Sequence, residues 1–108
     1  MQINRLAKSI IEELIANKKR ISVAESCTGG LVAAALTSIP GSSACFDYGV
    51  VTYSNEAKKT FLQVPETILN AYGAVSEQTA LKMAEGVAAI RQTDMALATT
   101  GIAGPGGG

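Results

Sequence analysis

The sequence predicts an α/β fold: a mostly parallel sheet flanked by helices, in three α/β/α layers. Three observations predict it. Helix-like and strand-like segments alternate as helix, strand, helix, strand, helix, helix, strand, the order that builds parallel strands joined by helical crossovers. Hydrophobic residues make up 47% of the 108, enough for the packed core of one small domain. The turns that follow the three strands, ESCTGG, YSNEAK and TGIAGPGGG, are polar and chemically rich, and all fall at the sheet edge where such folds bind ligands.

Each element has its own warrant. Ile3, Leu6, Ile10 and Leu14 recur at helical spacing beside Ile11 and Ile15, and predict a helix over 3–17. Lys18, Lys19 and Arg20 suit its C-terminal end. ISVA, 21–24, reads as a buried strand, and LVAAALTSI, 31–39, as a closely packed helix stopped by Pro40 and Gly41. FDYGVVTYS, 46–54, is rich in β-formers. SNEAKKTFL, 54–62, reads as a short helix capped by Ser54 or Asn55. A helical turn after Pro65 ends at Gly73. Residues 76–92 read as a helix with Ser76 as N-cap and Leu81, Ala84, Val87 and Ala88 along one face. DMALATT, 94–100, reads as the third strand.

Composition narrows the function. Nine basic residues balance nine acidic ones, which argues against nucleic acid and against a polybasic membrane anchor as partners. No apolar run approaches the roughly 20 residues that span a bilayer. The N-terminal residues lack the apolar stretch of a signal peptide, so a cytoplasmic protein is expected. Cys27 and Cys45 fit no zinc spacing and are expected as free thiols. The chain has no histidine, which removes the Ser-His-Asp triad, the Cys-His pair and histidine-based zinc sites. A base for acyl-transfer chemistry must then be Lys, Tyr, Asp, Glu or water.

Three stretches offer chemistry, each with a plainer alternative. In ESCTGG, Gly29 and Gly30 let the backbone approach a ligand, and the following helix offers N–H groups to an anion. The same stretch also reads as a turn capped by Thr28 or Ser26, with Glu25 either meeting a ligand or holding the turn. In YSNEAK, Lys58 lies one turn into a helix, where burial and the helix dipole lower its pKa and let it take a proton from Ser26. Tyr53 would relay that proton or orient the lysine; the alternative for Lys58 is a surface charge, the reading given to Lys59. In TTGIAGPGGG, Thr99 and Thr100 precede a stretch with five glycines in eight residues, read as an N–H-lined loop or as a flexible tail. Ser42 and Ser43, after Gly41, would add hydroxyl donors or simply form a helix-to-strand turn.

AESCTGG, PGSS, VTYSNEAK, GAVSE and TGIAGPGGG, in this order and spacing, resemble the CinA C-terminal domain family of nicotinamide-nucleotide amidohydrolases. The resemblance covers essentially the whole chain. It implies hydrolysis of nicotinamide mononucleotide to nicotinate mononucleotide and ammonia, with no metal and no cofactor. By motif it implies Ser26 as nucleophile, Lys58 as base and Tyr53 as an assisting residue. It implies a nucleotide held by Glu25, Thr28, Gly29, Gly30, Ser42, Asn55, Thr100, Gly101, Gly104 and Gly106. Family members continue past the glycine-rich segment with further strands and a helix. The domain is therefore expected to be incomplete at its C-terminus, or completed by another chain as a homo-oligomer, since open sheet edges favour pairing. The alternatives to an enzyme are a non-catalytic nucleotide-binding or regulatory module, and an inactive fragment.

Overall fold

A computed structural model describes residues 2–101. In chain order the elements are α1 (Gln2–Ala16), β1 (Ile21–Glu25), α2 (Leu31–Thr37), a 3-10 turn at Ser42–Ala44, β2 (Phe46–Val51), α3 (Asn55–Leu62), α4 (Glu66–Tyr72), α5 (Glu77–Arg91) and β3 (Met95–Ala98). The strands form one sheet in the order β2–β1–β3, and both pairings are parallel. The predicted α/β class and three-layer arrangement are therefore what the chain adopts.

β1 is the central strand and is buried along its whole length. Strand geometry sends alternate side chains to opposite faces. Ile21 and Val23 pack with Ala7, Ile11 and Leu14 of α1 and Leu36 of α2. Ala24 packs on the other face with Leu62, Val64, Leu69, Met83 and Val87, from α3 to α5. The same alternation decides where the next two residues of the chain point.

Helix ends are capped as their sequences suggest. The Ser54 hydroxyl accepts from the N–H of Ala57, and the Ser76 hydroxyl from that of Thr79. Ser54, not Asn55, is thus the cap of α3. The α3–α5 crossing is close because position 86 is glycine: a Cβ there would overlap the carbonyl oxygen of Leu62. The Tyr48 hydroxyl donates to the carbonyl of Val87 and ties β2 to α5.

Two predicted faces shift. On α5 the buried stripe is Thr79, Met83 and Val87, whereas Leu81 is 59% exposed. Rotating the helix so that Gly86 meets α3 carries Leu81 outward. Among the described side chains of α1 only Ala7, Ile11 and Leu14 are buried, while Ile3 and Leu6 remain exposed. These two residues line an apolar groove of about 520 Å³ that runs between α1, α2 and β3 and includes Met95 and Leu97. No helix among the described residues is long and apolar enough to cross a membrane.

Candidate active site

Parallel pairing brings the C-terminal ends of all three strands to one edge. Ser26 leaves β1 there, Thr52 and Tyr53 leave β2, and Thr99 to Gly101 leave β3. Lys58 reaches the same place from the first turns of α3.

Ser26 continues the alternation of Ser22 and Ala24 and so faces the α3 side of the sheet. Its hydroxyl lies 3.2 Å from Lys58 Nζ. Both residues are buried, at 5% and 1% exposure. Lys58 Nζ also donates to the main-chain carbonyls of Thr52, at 3.1 Å, and Tyr53, at 3.0 Å. Burial holds the lysine below its ordinary value of 10.5, against an opposing pull from nearby Cys27. A neutral amine keeps two N–H bonds and one lone pair. With the two carbonyls taking the N–H bonds, the lone pair is left to face the Ser26 hydroxyl. The charged amine donates along this direction to Ser26; only the neutral form can accept the serine proton there. No acidic side chain bonds to it among the described residues, so the charged form meets three neutral acceptors and no counter-charge.

Of the two readings of Glu25, the structure takes the turn-holding one, and the substrate contact implied by the resemblance is corrected to a part of the frame. It is the last residue of β1 and points to the opposite face from Ser26, toward α2. It is 1% exposed. Its Oε1 accepts from the Thr28 hydroxyl at 2.5 Å, from Gly30 N at 3.1 Å and from Val32 N at 3.0 Å, and its Oε2 accepts from Ala33 N at 2.8 Å. Burial raises its pKa, but the hydrogen bonds from Thr28, Ala33, Val32 and Gly30 together outweigh that, and the net result lies below 4.5. The N–H groups predicted to meet a ligand's anion at the start of α2 are thereby filled by the protein's own carboxylate.

The Thr28 hydroxyl belongs to the same frame. Its hydroxyl donates to Glu25 and lies 2.8 Å from the hydroxyl of Thr99. Gly29 and Gly30 have φ of +60° and +110°, the left-handed region that glycine enters without strain. Their first duty is the turn itself. Ser42 is buried in the turn before β2, its hydroxyl bonded to the carbonyl of Thr37. That turn enters the N-terminal end of β2, so the structure places Ser42 at the sheet edge opposite Ser26 and does not bring it to the site.

Tyr53 acts differently from the expectation. Its carbonyl orients Lys58, whereas its side chain is 63% exposed at the rim. Asn55 is exposed at the start of α3. The Thr100 hydroxyl donates to the carbonyl of Ala74, anchoring the end of β3 to the α4–α5 loop. Gly101 sits close enough to Cys27 that a Cβ there would lie 3.2 Å from its sulfur. Gly104 and Gly106 fall outside the described residues. Lys59, read as solvated, is a surface charge that pairs with Glu66 at 3.1 Å and Glu56 at 3.3 Å.

Sequence reasoning missed Thr52, whose carbonyl holds Lys58 and whose buried hydroxyl has no partner among the described residues. Its signal was available: it continues the alternation of Tyr48 and Val50 toward the Lys58 face. Main-chain donors are also present. The N–H of Cys27, next to Ser26, has no acceptor among the described residues. Among those residues no three His, Cys, Asp or Glu side chains gather as a metal-binding group.

The profile of the CinA C-terminal domain matches residues 3–108. The chain is 59% identical over 95 residues to a CinA-like protein of Syntrophus aciditrophicus, covering 88% of this chain and 23% of that protein. It is 47% identical over 108 residues to a CinA-like protein of Desulfovibrio desulfuricans, covering 100% of this chain and 25% of that protein. Among solved structures it is similar to the competence/damage inducible protein CihA from Agrobacterium tumefaciens, with a TM-score of 0.95 and 52% identity, covering 100% of this chain and 66% of that one. It is also similar to a CinA superfamily protein from Escherichia coli, with a TM-score of 0.93 and 39% identity, covering 98% of this chain and 62% of that one. The chain thus spans about a quarter of the length of these curated relatives and under two thirds to about two thirds of the solved chains.

Proposed function

This chain belongs to the CinA C-terminal domain family, and from that premise we propose that it is a cytoplasmic amidohydrolase that converts nicotinamide mononucleotide to nicotinate mononucleotide and ammonia. The observation that carries the reading is the buried contact of 3.2 Å between Lys58 Nζ and Ser26 Oγ, in a chain without histidine.

Ser26 Oγ attacks the carboxamide carbon while Lys58 takes its proton. The Cys27 N–H supports the negative charge that develops on the carbonyl oxygen. Lys58 then gives the proton to the departing nitrogen, ammonia leaves, and an acyl-serine remains. Water attacks that ester with Lys58 again as base, releasing the carboxylate product and restoring Ser26. Gly101 binds the nucleotide beside Cys27, with Tyr53 and Asn55 at the rim.

Ammonia release from nicotinamide mononucleotide by the purified chain tests this. Ser26→Ala is expected to lower kcat by about 10³-fold or more. Turnover of Ser26→Ala at the rate of the parent would remove the serine mechanism. Nucleotide binding without turnover in the parent would favour a non-catalytic binding module instead.

A further inference from the structure

The hydrogen bonds of Glu25 have a direction that reaches across the site. Glu25 lies below its ordinary pKa and is ionised at neutral pH, so its carboxylate only accepts. The Thr28 proton therefore goes to Glu25, and the Thr28 oxygen must accept the proton of Thr99. The chain runs Thr99 to Thr28 to Glu25, from the end of β3 to the end of β1. Thr99 and Thr100 point to opposite faces, as adjacent strand residues do. Thr100 is bound to Ala74, so both faces of this strand end are anchored. Between the two strand ends lies the turn that carries Ser26. Just beyond them Gly101 packs against Cys27.

We propose that Glu25, Thr28 and Thr99 are positioning residues, which together lock the serine turn to the end of β3 at Gly101. The inference rests on the amidase reading for its effect on turnover, and on geometry alone for the lock itself. The lock fixes Ser26 relative to Thr99, Thr100 and Gly101 at the end of β3. Its loss therefore lowers kcat more than it raises KM. A purely structural role would instead reduce folded protein and leave the remaining enzyme's constants unchanged.

Threonine-to-valine changes keep shape and remove the hydroxyl, so they test the lock without deleting the buried carboxylate. In the full chain, Thr28→Val is expected to lower kcat about tenfold or more, the scale of a charge-assisted hydrogen bond. KM should change much less. Thr28→Ser should restore most of kcat. Thr99→Val should lower kcat too, and the double variant should be little worse than Thr28→Val alone, because both break one chain. Amide hydrogen exchange at Gly30, Val32 and Ala33 should quicken about tenfold in Thr28→Val and be restored in Thr28→Ser. Unchanged kcat in Thr28→Val, failure of serine to rescue it, or effects of the two valines that multiply would each overturn the lock. If the parent chain releases no ammonia, the amidase reading fails, and the lock is judged on exchange. Unchanged protection of those three amides in Thr28→Val would then overturn it.

Discussion

Lys58 Nζ has three hydrogen-bonding directions, and the carbonyls of Thr52 and Tyr53 take two of them. Only the third is open to chemistry, and Ser26 stands in it. Lys58→Arg is therefore expected to abolish the base, because guanidinium keeps its proton at any usable pH. Turnover should fall by about 10²–10⁴-fold, the worth of general base catalysis. Because burial lowers the lysine's pKa, activity should rise with pH through a single ionisation below 10.5 and level off above it. A kcat/KM profile with no ionisation below that value would count against Lys58 as the base. Glu25 gives a stability prediction of opposite pH sense to a buried base. Its folded pKa is depressed, so its contribution is present above 4.5 and is lost as pH falls through the folded value. Glu25→Gln places an amide donor against a main-chain N–H and should cost about 1.5–3 kcal/mol at neutral pH. Denaturant unfolding should show that gap narrowing below pH 4.5; a gap independent of pH would separate the effect from ionisation. The Ser26–Lys58 pairing was legible because histidine's absence restricted the base and YSNEAK falls at the same edge. The role of Glu25 was legible only as a choice between meeting a ligand and holding the turn, because the strand reads as ending at Ala24. One more strand residue puts Glu25 opposite Ser26 and under α2.

At the scale of elements, α3 is placed by its crossing with α5, and that placement sets where Lys58 sits. Gly86 is the point of closest approach, its Cα side facing the main chain of Leu62, four residues beyond Lys58. A methyl group there meets backbone that cannot rotate away. Gly86→Ala should separate the two helices, at a cost of about 1–3 kcal/mol. For a domain of this size each kcal/mol moves Tm by about 4–8 °C, so calorimetry resolves it. Because the shift also draws Lys58 from Ser26, activity measured on folded protein should fall as well. A stable but active Gly86→Ala variant would show that α3 is held elsewhere. Neither this crossing nor the true face of α5 was readable from periodicity. Leu81, Ala84, Val87 and Ala88 make as good a helical stripe as Thr79, Met83 and Val87, and only a partner helix chooses between them. Ser42 was misassigned for a related reason. A turn from helix to strand lies at the opposite edge from a turn from strand to helix, whatever hydroxyls it carries.

On the scale of the whole molecule, the described sheet has β3 at one edge, next to the apolar groove that Ile3, Leu6 and Met95 leave exposed. Among the described residues no strand pairs with the outer edge of β3, and an edge of that kind beside exposed apolar side chains is a surface that pairs readily. The chain carries no net charge at pH 7, so two copies meet without long-range repulsion. We therefore expect self-association through the apolar groove on the β3 side, as a homo-oligomer whose sites stay open. The strands are parallel, so the candidate site lies at their C-terminal ends while the groove runs along α1 and α2, and association along β3 does not cover Ser26. Sedimentation across a wide dilution series should show a mass that rises with concentration. Leu6→Glu and Met95→Glu each add a charge to the groove without touching Lys58 or Ser26, and should shift the population to monomer. A chain that stays monomeric at every concentration, with the same behaviour in both variants, would refute self-association through this face.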